Sequence, residues 1–213
     1  MTLTVAGTVV RLGRGLDMQI RDVCAKCNAG WLSELEVAFA SLVRPILLPG
    51  GEELSLDKAA QGTIAAWGIK TLFLLERGMK YTRGGAIESE DFPPYFMANL
   101  RPPPEVRIWI AEVGNARGKS LFGLKSTALY MSGLLVGRLY LLKVEKVGFL
   151  VFIPETWNRE RAFTIDLGPA LPNEIIQVWP ESDREVHWPP PGVISEEILN
   201  GLFPLTERID LPA

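Results

Sequence analysis

The sequence predicts an α+β fold, with an N-terminal half zinc knuckle and a helix pair ahead of a mainly antiparallel sheet region. Three observations point there. Apolar residues recur at helical spacing between residues 35 and 75, strand-like alternation and apolar runs fill residues 106 to 153, and the helical signals precede the strand signals. No internal repeat is present. At about 150 residues per domain, the 213 residues suggest one large domain or two small ones. The expected division is a remnant knuckle with its following helix over 1–48 and an α+β region over 49–213, the two continuous if they share one core. With 47% hydrophobic and 22% charged residues, the chain is that of an ordinary globular protein.

Taken in order, Leu3, Val5 and Val9-Val10-Leu12, then Met18-Gln19-Ile20, predict one or two short strands ending at Cys24. Leu35, Phe39, Leu42 and Ile46 then recur at helical spacing, with Ser33 and Glu36 spaced as a capping box. Pro45 and Pro49-Gly50-Gly51 are expected to stop that helix. A second helix is expected after Ser55, with Asp57 at its positive end, Ile64, Trp67, Thr71 and Leu75 on one face, and Gly78 closing it. Lys80 to Pro94 reads as a loop and Tyr95 to Leu100 as a short helix. Pro102-Pro103-Pro104 leads into a strand over 106–113 with Ile108 and Ile110 on one face. Residues 127–132, 134–144 and 149–153 predict an antiparallel meander, Ile175 to Trp179 one more strand, and Ser195 to Leu202 a last helix.

Composition also limits function. The formal charge is −3, which argues against a whole-surface grip on nucleic acid while leaving room for a local basic patch. Arg107 beside Trp109, with Arg117 and Lys119 in the following loop, is the candidate patch; a solvated sheet face is the plainer expectation. Two cysteines cannot staple a secreted chain of this length and no signal-peptide pattern opens it, so the cytoplasm is expected. The apolar stretch Leu134 to Ile153 contains Arg138, Lys143, Glu145 and Lys146, each costly at a bilayer centre, so no membrane partner is expected. One histidine, His187, excludes any site built on two imidazoles. Gly118-Lys119-Ser120 ends like a phosphate loop, but position 113, where the first glycine belongs, is Val113.

Cys24-x-x-Cys27 is the sharpest chemical signal. Two thiols three positions apart can hold one zinc ion as half of a four-donor knuckle, can cycle as a redox dithiol, or can be inert. Redox cycling is expected at a helix start within a βαβ unit, which the upstream sequence does not offer. His187 would be at best a third donor. Trp31 and Trp67 are expected as core anchors between the two helices, and Lys70 and Arg44 as solvated or stem-packed side chains.

The run Val23-Cys24-x-x-Cys27-Asn28-x-Gly30-Trp31-Leu32-Ser33-x-Leu35-Glu36 resembles the second half of the metal site in bacterial HNH-endonuclease-like proteins. Ala66-Trp67-x-x-Lys70-Thr71, Pro102-Pro103-Pro104-x-Val106-x-Ile108-Trp109, Val136-Gly137-Arg138-Leu139, Gln177-Val178-Trp179-Pro180 and Trp188-Pro189-Pro190-Pro191 extend that likeness over nearly the whole chain. It implies a treble-clef finger in which Cys24 and Cys27 bind structural zinc together with an upstream Cys pair, and Asn28 matches the polar position carried over as a candidate catalytic residue. In intact relatives an upstream Glu-His pair supplies the general base, and a catalytic divalent metal assists hydrolysis of nucleic acid. No histidine or cysteine precedes Cys24 here. The chain is therefore expected to be truncated, by a misassigned start at Met1 or by loss, and to be catalytically incomplete. The alternative is a non-catalytic binding domain with a structural knuckle, with two Cys pairs sharing one zinc across a homodimer.

Overall fold

The computed structural model describes residues 2–5, 8–11, 24–47, 53–83, 92–114, 122–155, 165–203 and 208–211. β1 (Thr2–Val5) and β2 (Thr8–Arg11) pair as an antiparallel hairpin. The cysteine turn begins with α1 (Ala25–Cys27) and widens into a π-helical turn over Asn28–Leu32. That turn breaks at Gly30 (φ −99°, ψ −121°) before α2 (Ser33–Leu47) starts. β3 (Leu54–Leu56) precedes the long α3 (Lys58–Arg83), and α4 (Phe92–Asn99) follows.

The sheet is then laid down by β4 (Arg107–Val113), β5 (Phe122–Met131), β6 (Leu134–Val144), β7 (Val147–Pro154) and β8 (Ile175–Trp179). β9 (Val186–Trp188), β10 (Val193–Ile194), α5 (Glu196–Leu202) and β11 (Arg208–Leu211) complete the order. The fold is α+β, as expected. β4, β7, β6 and β5 are successive antiparallel neighbours. The outer edge of β4 is shared by antiparallel β8 and parallel β10, and β11 adds in parallel beside β5.

Helix ends follow local chemistry, with corrections to the sequence-based boundaries. The Asp57 carboxylate accepts the Ala60 N–H at 2.8 Å and caps α3, and Ser195 caps α5 through the Ile198 N–H. α3 runs past Gly78 to Arg83, so Lys80 to Arg83, expected in a loop, are helical; residues 84–91 of that expected loop lie outside the described residues. α2 continues through Pro45 to Leu47. A proline this near a helix end removes one hydrogen bond in the last turn, which packing of Val43 and Ile46 offsets. β3, β9, β10 and β11 were not anticipated: two to four residues are too few to display a period.

Both faces of the sheet are covered. Phe39, Val43 and Ile46 of α2 and Ile64, Trp67 and Leu72 of α3 share one core with Ile108, Ile110, Tyr140, Leu142, Phe149 and Val151. The opposite face, Trp109, Ala111, Leu139, Leu141, Leu150 and Phe152, packs against Leu171, Ile194, Leu199 of α5 and Phe203 just after it. Trp109 is 1% exposed, so the face expected to be solvated is a second core layer. β7 is buried at every position, as the middle strand of a sandwiched sheet must be. The apolar stretch from Leu134 to Ile153 is thus two strands of a hairpin turning at Glu145-Lys146. No helix among the described residues is long and apolar enough to cross a membrane.

Candidate metal centre

Cys24 and Cys27 are brought together on one turn. Cys24 is the extended residue that caps α1, and its sulfur accepts the Cys27 backbone N–H at 3.1 Å. The Cys27 Sγ lies 2.8 Å from the Cys24 Sγ. Both are free cysteines; Cys24 is exposed and Cys27 partly covered. Hydrogen bonds from the Cys27 thiol and the Cys27 backbone N–H, with the Lys26 ammonium adding less, hold the Cys24 thiol below its usual range. As donor in that shared bond Cys27 is pushed up, with burial adding to the rise and a hydrogen bond from Trp31 opposing it. The turn thus holds one acidified sulfur and a neighbour that stabilises its thiolate. Thiolate is the form that ligates a metal.

The donors partly fit zinc. Two sulfurs on one exposed turn supply half of a tetrahedral set, and Zn–S bonds of about 2.3 Å would require the pair to open slightly from its present contact. Among the described residues no group of three or more His, Cys, Asp or Glu side chains could hold a metal ion. His187 does not join the pair: it lies on β9 opposite Ser55 of β3. Any further donors to this turn therefore come from outside the described residues or from another molecule. Arg117 and Lys119 of the candidate basic patch also lie outside them. Arg107 is occupied locally, donating to the carbonyls of Pro104 at 2.6 Å and Val106 at 3.0 Å.

Asn28 follows the pair directly. Its backbone N–H donates to the Cys24 carbonyl at 2.9 Å and its side chain is exposed. It closes the turn, which is the structural role open to an Asn at this position. Trp31 is half-buried and meets Phe96 of α4 edge-on, with centroids 6.0 Å apart, rather than standing between the two helices. Trp67 does stand there: its ring stacks on Phe39 at 3.7 Å with planes 3° apart.

α2 is tied to the body by three residues whose joint role was missed. The Glu36 carboxylate accepts the Trp67 indole N–H at 2.8 Å and pairs with the Lys70 ammonium, which also lies 5.4 Å from the Trp67 ring centroid. Lys70 is 5% exposed, whereas the Glu36 side chain remains 52% exposed. Glu36 therefore does not serve the capping box its spacing with Ser33 suggested. The signal was present in the sequence. Lys70 stands three residues after Trp67, on the apolar stripe of its helix, where an ammonium requires an acidic partner.

A second tie lies at the other end of α3. Gln61 is fully buried, its amide donating to the carbonyls of Leu56 and Arg184 at 3.0 Å while its oxygen accepts the Ser182 N–H at 2.8 Å. Around this buried amide, Lys58 pairs with Asp183 at 2.6 Å and Arg101 with Glu181 at 3.1 Å. The acidic residues of the 181–185 loop are thus mostly balanced by cations. Comparison with protein-family models, curated proteins and solved structures gives no match to this chain.

Proposed function

We propose that this chain is the distal zinc knuckle and α+β body of an HNH-endonuclease-like protein, whose complete finger performs metal-dependent hydrolysis of nucleic-acid phosphodiester bonds. The observation that supports this most is the order of features on the turn: two adjacent sulfurs, one exposed and one partly covered, the backbone break at Gly30, Trp31, and then α2. Cys24 and Cys27 would hold structural zinc, which supplies a crosslink fixing the turn ahead of α2. Glu36, Trp67 and Lys70 hold that helix against the body. Asn28 stands beside the thiols, where it can offer an amide to a bound group.

The sole histidine, His187, lies on β9, so the chain alone carries no imidazole base at the knuckle and is expected not to cleave nucleic acid. The two free thiols fit a reducing compartment, which favours the cytoplasm. A second reading, a non-catalytic interaction domain, is favoured by one observation. Cys24 and Val37 of α2 are open to solvent and Cys27 is only partly covered, so two copies could bring four sulfurs around one zinc as a homodimer.

Cobalt(II) titration of the reduced chain tests the metal. A thiolate-to-cobalt absorption band, lost in Cys24→Ser and Cys27→Ser, is expected. Absence of the band would remove the knuckle from both readings. Native mass then separates them, since one zinc per two chains supports the shared site, whereas a zinc-loaded monomer counts against it and leaves the pair as half of a finger. For the nuclease, DNA and RNA are offered with magnesium or manganese. The expected result is cleavage only when the chain is joined to a segment carrying the upstream Cys pair and Glu-His. Failure to cleave with that segment in place would count against the nuclease assignment.

A further inference from the structure

We infer that the Cys24–Cys27 turn is also a two-electron thiol–disulfide exchange centre, accepting small exposed disulfides of the glutathione class. The geometry that carries this is the sulfur separation of 2.8 Å on a solvent-facing turn, which lies only roughly 0.8 Å beyond a disulfide bond length. Vicinal metal-ligand thiols that open around an ion do not need so close an approach. A disulfide here can close with a small movement of the sulfurs, which already touch across one turn. The chain has only these two cysteines, so no other internal thiol competes for either sulfur.

Access sets the order of events. Cys24 is exposed, whereas Cys27 is partly covered. The Cys24 thiolate attacks one sulfur of the incoming disulfide. A mixed disulfide forms as the original S–S bond breaks, and one small thiolate leaves and is protonated. The Cys27 thiolate then attacks the Cys24 sulfur, forming the internal disulfide and expelling the second small thiolate, which is also protonated. Two protein thiols are oxidised by two electrons, and one disulfide is reduced to two thiols. The two protons lost by the cysteines end on the two released thiols. A disulfide sulfur carries no thiolate charge for a metal, so oxidised and zinc-bound turns are mutually exclusive states. That exclusion, unlike the exchange itself, rests on the zinc reading proposed above.

The experiment equilibrates the full, reduced, metal-free chain in glutathione buffers of graded oxidised-to-reduced ratio, quenches with acid, alkylates free thiols and reads intact mass. The expected product is a monomer that has lost two hydrogens and carries no glutathione, appearing in one two-electron transition. Cys27→Ser is expected to stall with one glutathione on Cys24, and Cys24→Ser to react about tenfold more slowly because its remaining thiol is partly covered. Thiols that stay free at every ratio, stable glutathione adducts on the unaltered chain, or disulfide-linked dimers would each overturn the proposal. Prior loading with zinc is expected to slow oxidation at least tenfold. An internal disulfide in a chain that never binds metal would defeat the zinc reading and leave this one standing. Zinc binding by a chain that forms no internal disulfide would do the reverse.

Discussion

Removing the Lys70 ammonium from water is costly, and the Glu36 carboxylate compensates by pairing with it while accepting the Trp67 indole N–H. The variants should separate accordingly. Glu36→Ala leaves a buried cation and a buried N–H without their acceptor and is expected to cost about 1–3 kcal/mol, discounted for the exposure of Glu36 itself. Glu36→Gln keeps an acceptor for Trp67, and Lys70→Met removes the buried charge, so both should cost less. Urea midpoints of the three variants check the ranking. Lys58 and Asp183 illustrate the contrasting exposed pair. Each partner's hydrogen bond holds the Asp183 carboxyl below its usual value and the Lys58 ammonium above its own. The Asp183 contribution is present above the ordinary carboxylate pKa of about 3.9 and disappears as pH falls through the lowered value. The Lys58 contribution is present at neutral pH and disappears as pH rises through the raised lysine value. Melting temperatures of Asp183→Asn and the unaltered chain should therefore differ at neutral pH, converge in strong acid, and converge with added salt. The thiol pair was legible because Cys-x-x-Cys spacing is local. The partner of Glu36 was not, because Ser33 offered the same carboxylate a nearer role and only the fold reveals which one it takes.

At the level of elements, close approach decides which substitutions the sheet tolerates. A Cβ at Gly137 would stand 2.5 Å from the Phe152 ring and 2.7 Å from the Ile153 carbonyl oxygen, and backbone cannot swing aside as a side-chain end can. At Gly68 it would meet the Phe149 ring at 2.9 Å. Gly137→Ala is expected to cost about 1–3 kcal/mol and Gly68→Ala less, measured by denaturant unfolding, since ring rotation relieves only the second. Gln61 links α3 to the 182–184 loop, and Gln61→Leu would leave the buried Leu56 carbonyl and the part-buried Ser182 N–H and Arg184 carbonyl without their partner. Faster hydrogen exchange at Ser182, with α3 itself unchanged, is the expected sign. Long elements were readable from their periods: the α3 stripe of Ile64, Trp67 and Leu75 is buried as expected. Their ends were less so. Gly78 lowers helix propensity by only about 1 kcal/mol, too little by itself to end a helix that long.

For the whole molecule, the shared strands make the two core layers one mechanical unit. β4, β6 and β7 each contribute side chains to both cores, so neither layer can melt while the other keeps its sheet. Tryptophan fluorescence and far-ultraviolet circular dichroism should therefore report coincident unfolding transitions; separated midpoints would show that the layers are independent. The second layer was hard to see in advance because its cover comes from a short helix and from residues such as Leu171 and Ile194 that lie in irregular or very short segments. The continuous apolar composition of β7 was the readable trace of it, since a strand with one wet face would alternate. The same arrangement has a consequence for biosynthesis. α2 and α3 emerge from the ribosome ahead of every strand of the main sheet, and the Gln61 oxygen must wait some 120 residues for the Ser182 N–H that satisfies it. During translation the nascent helices carry an uncovered oily stripe, making them natural clients for a chaperone until the strands that shelter them have been synthesised.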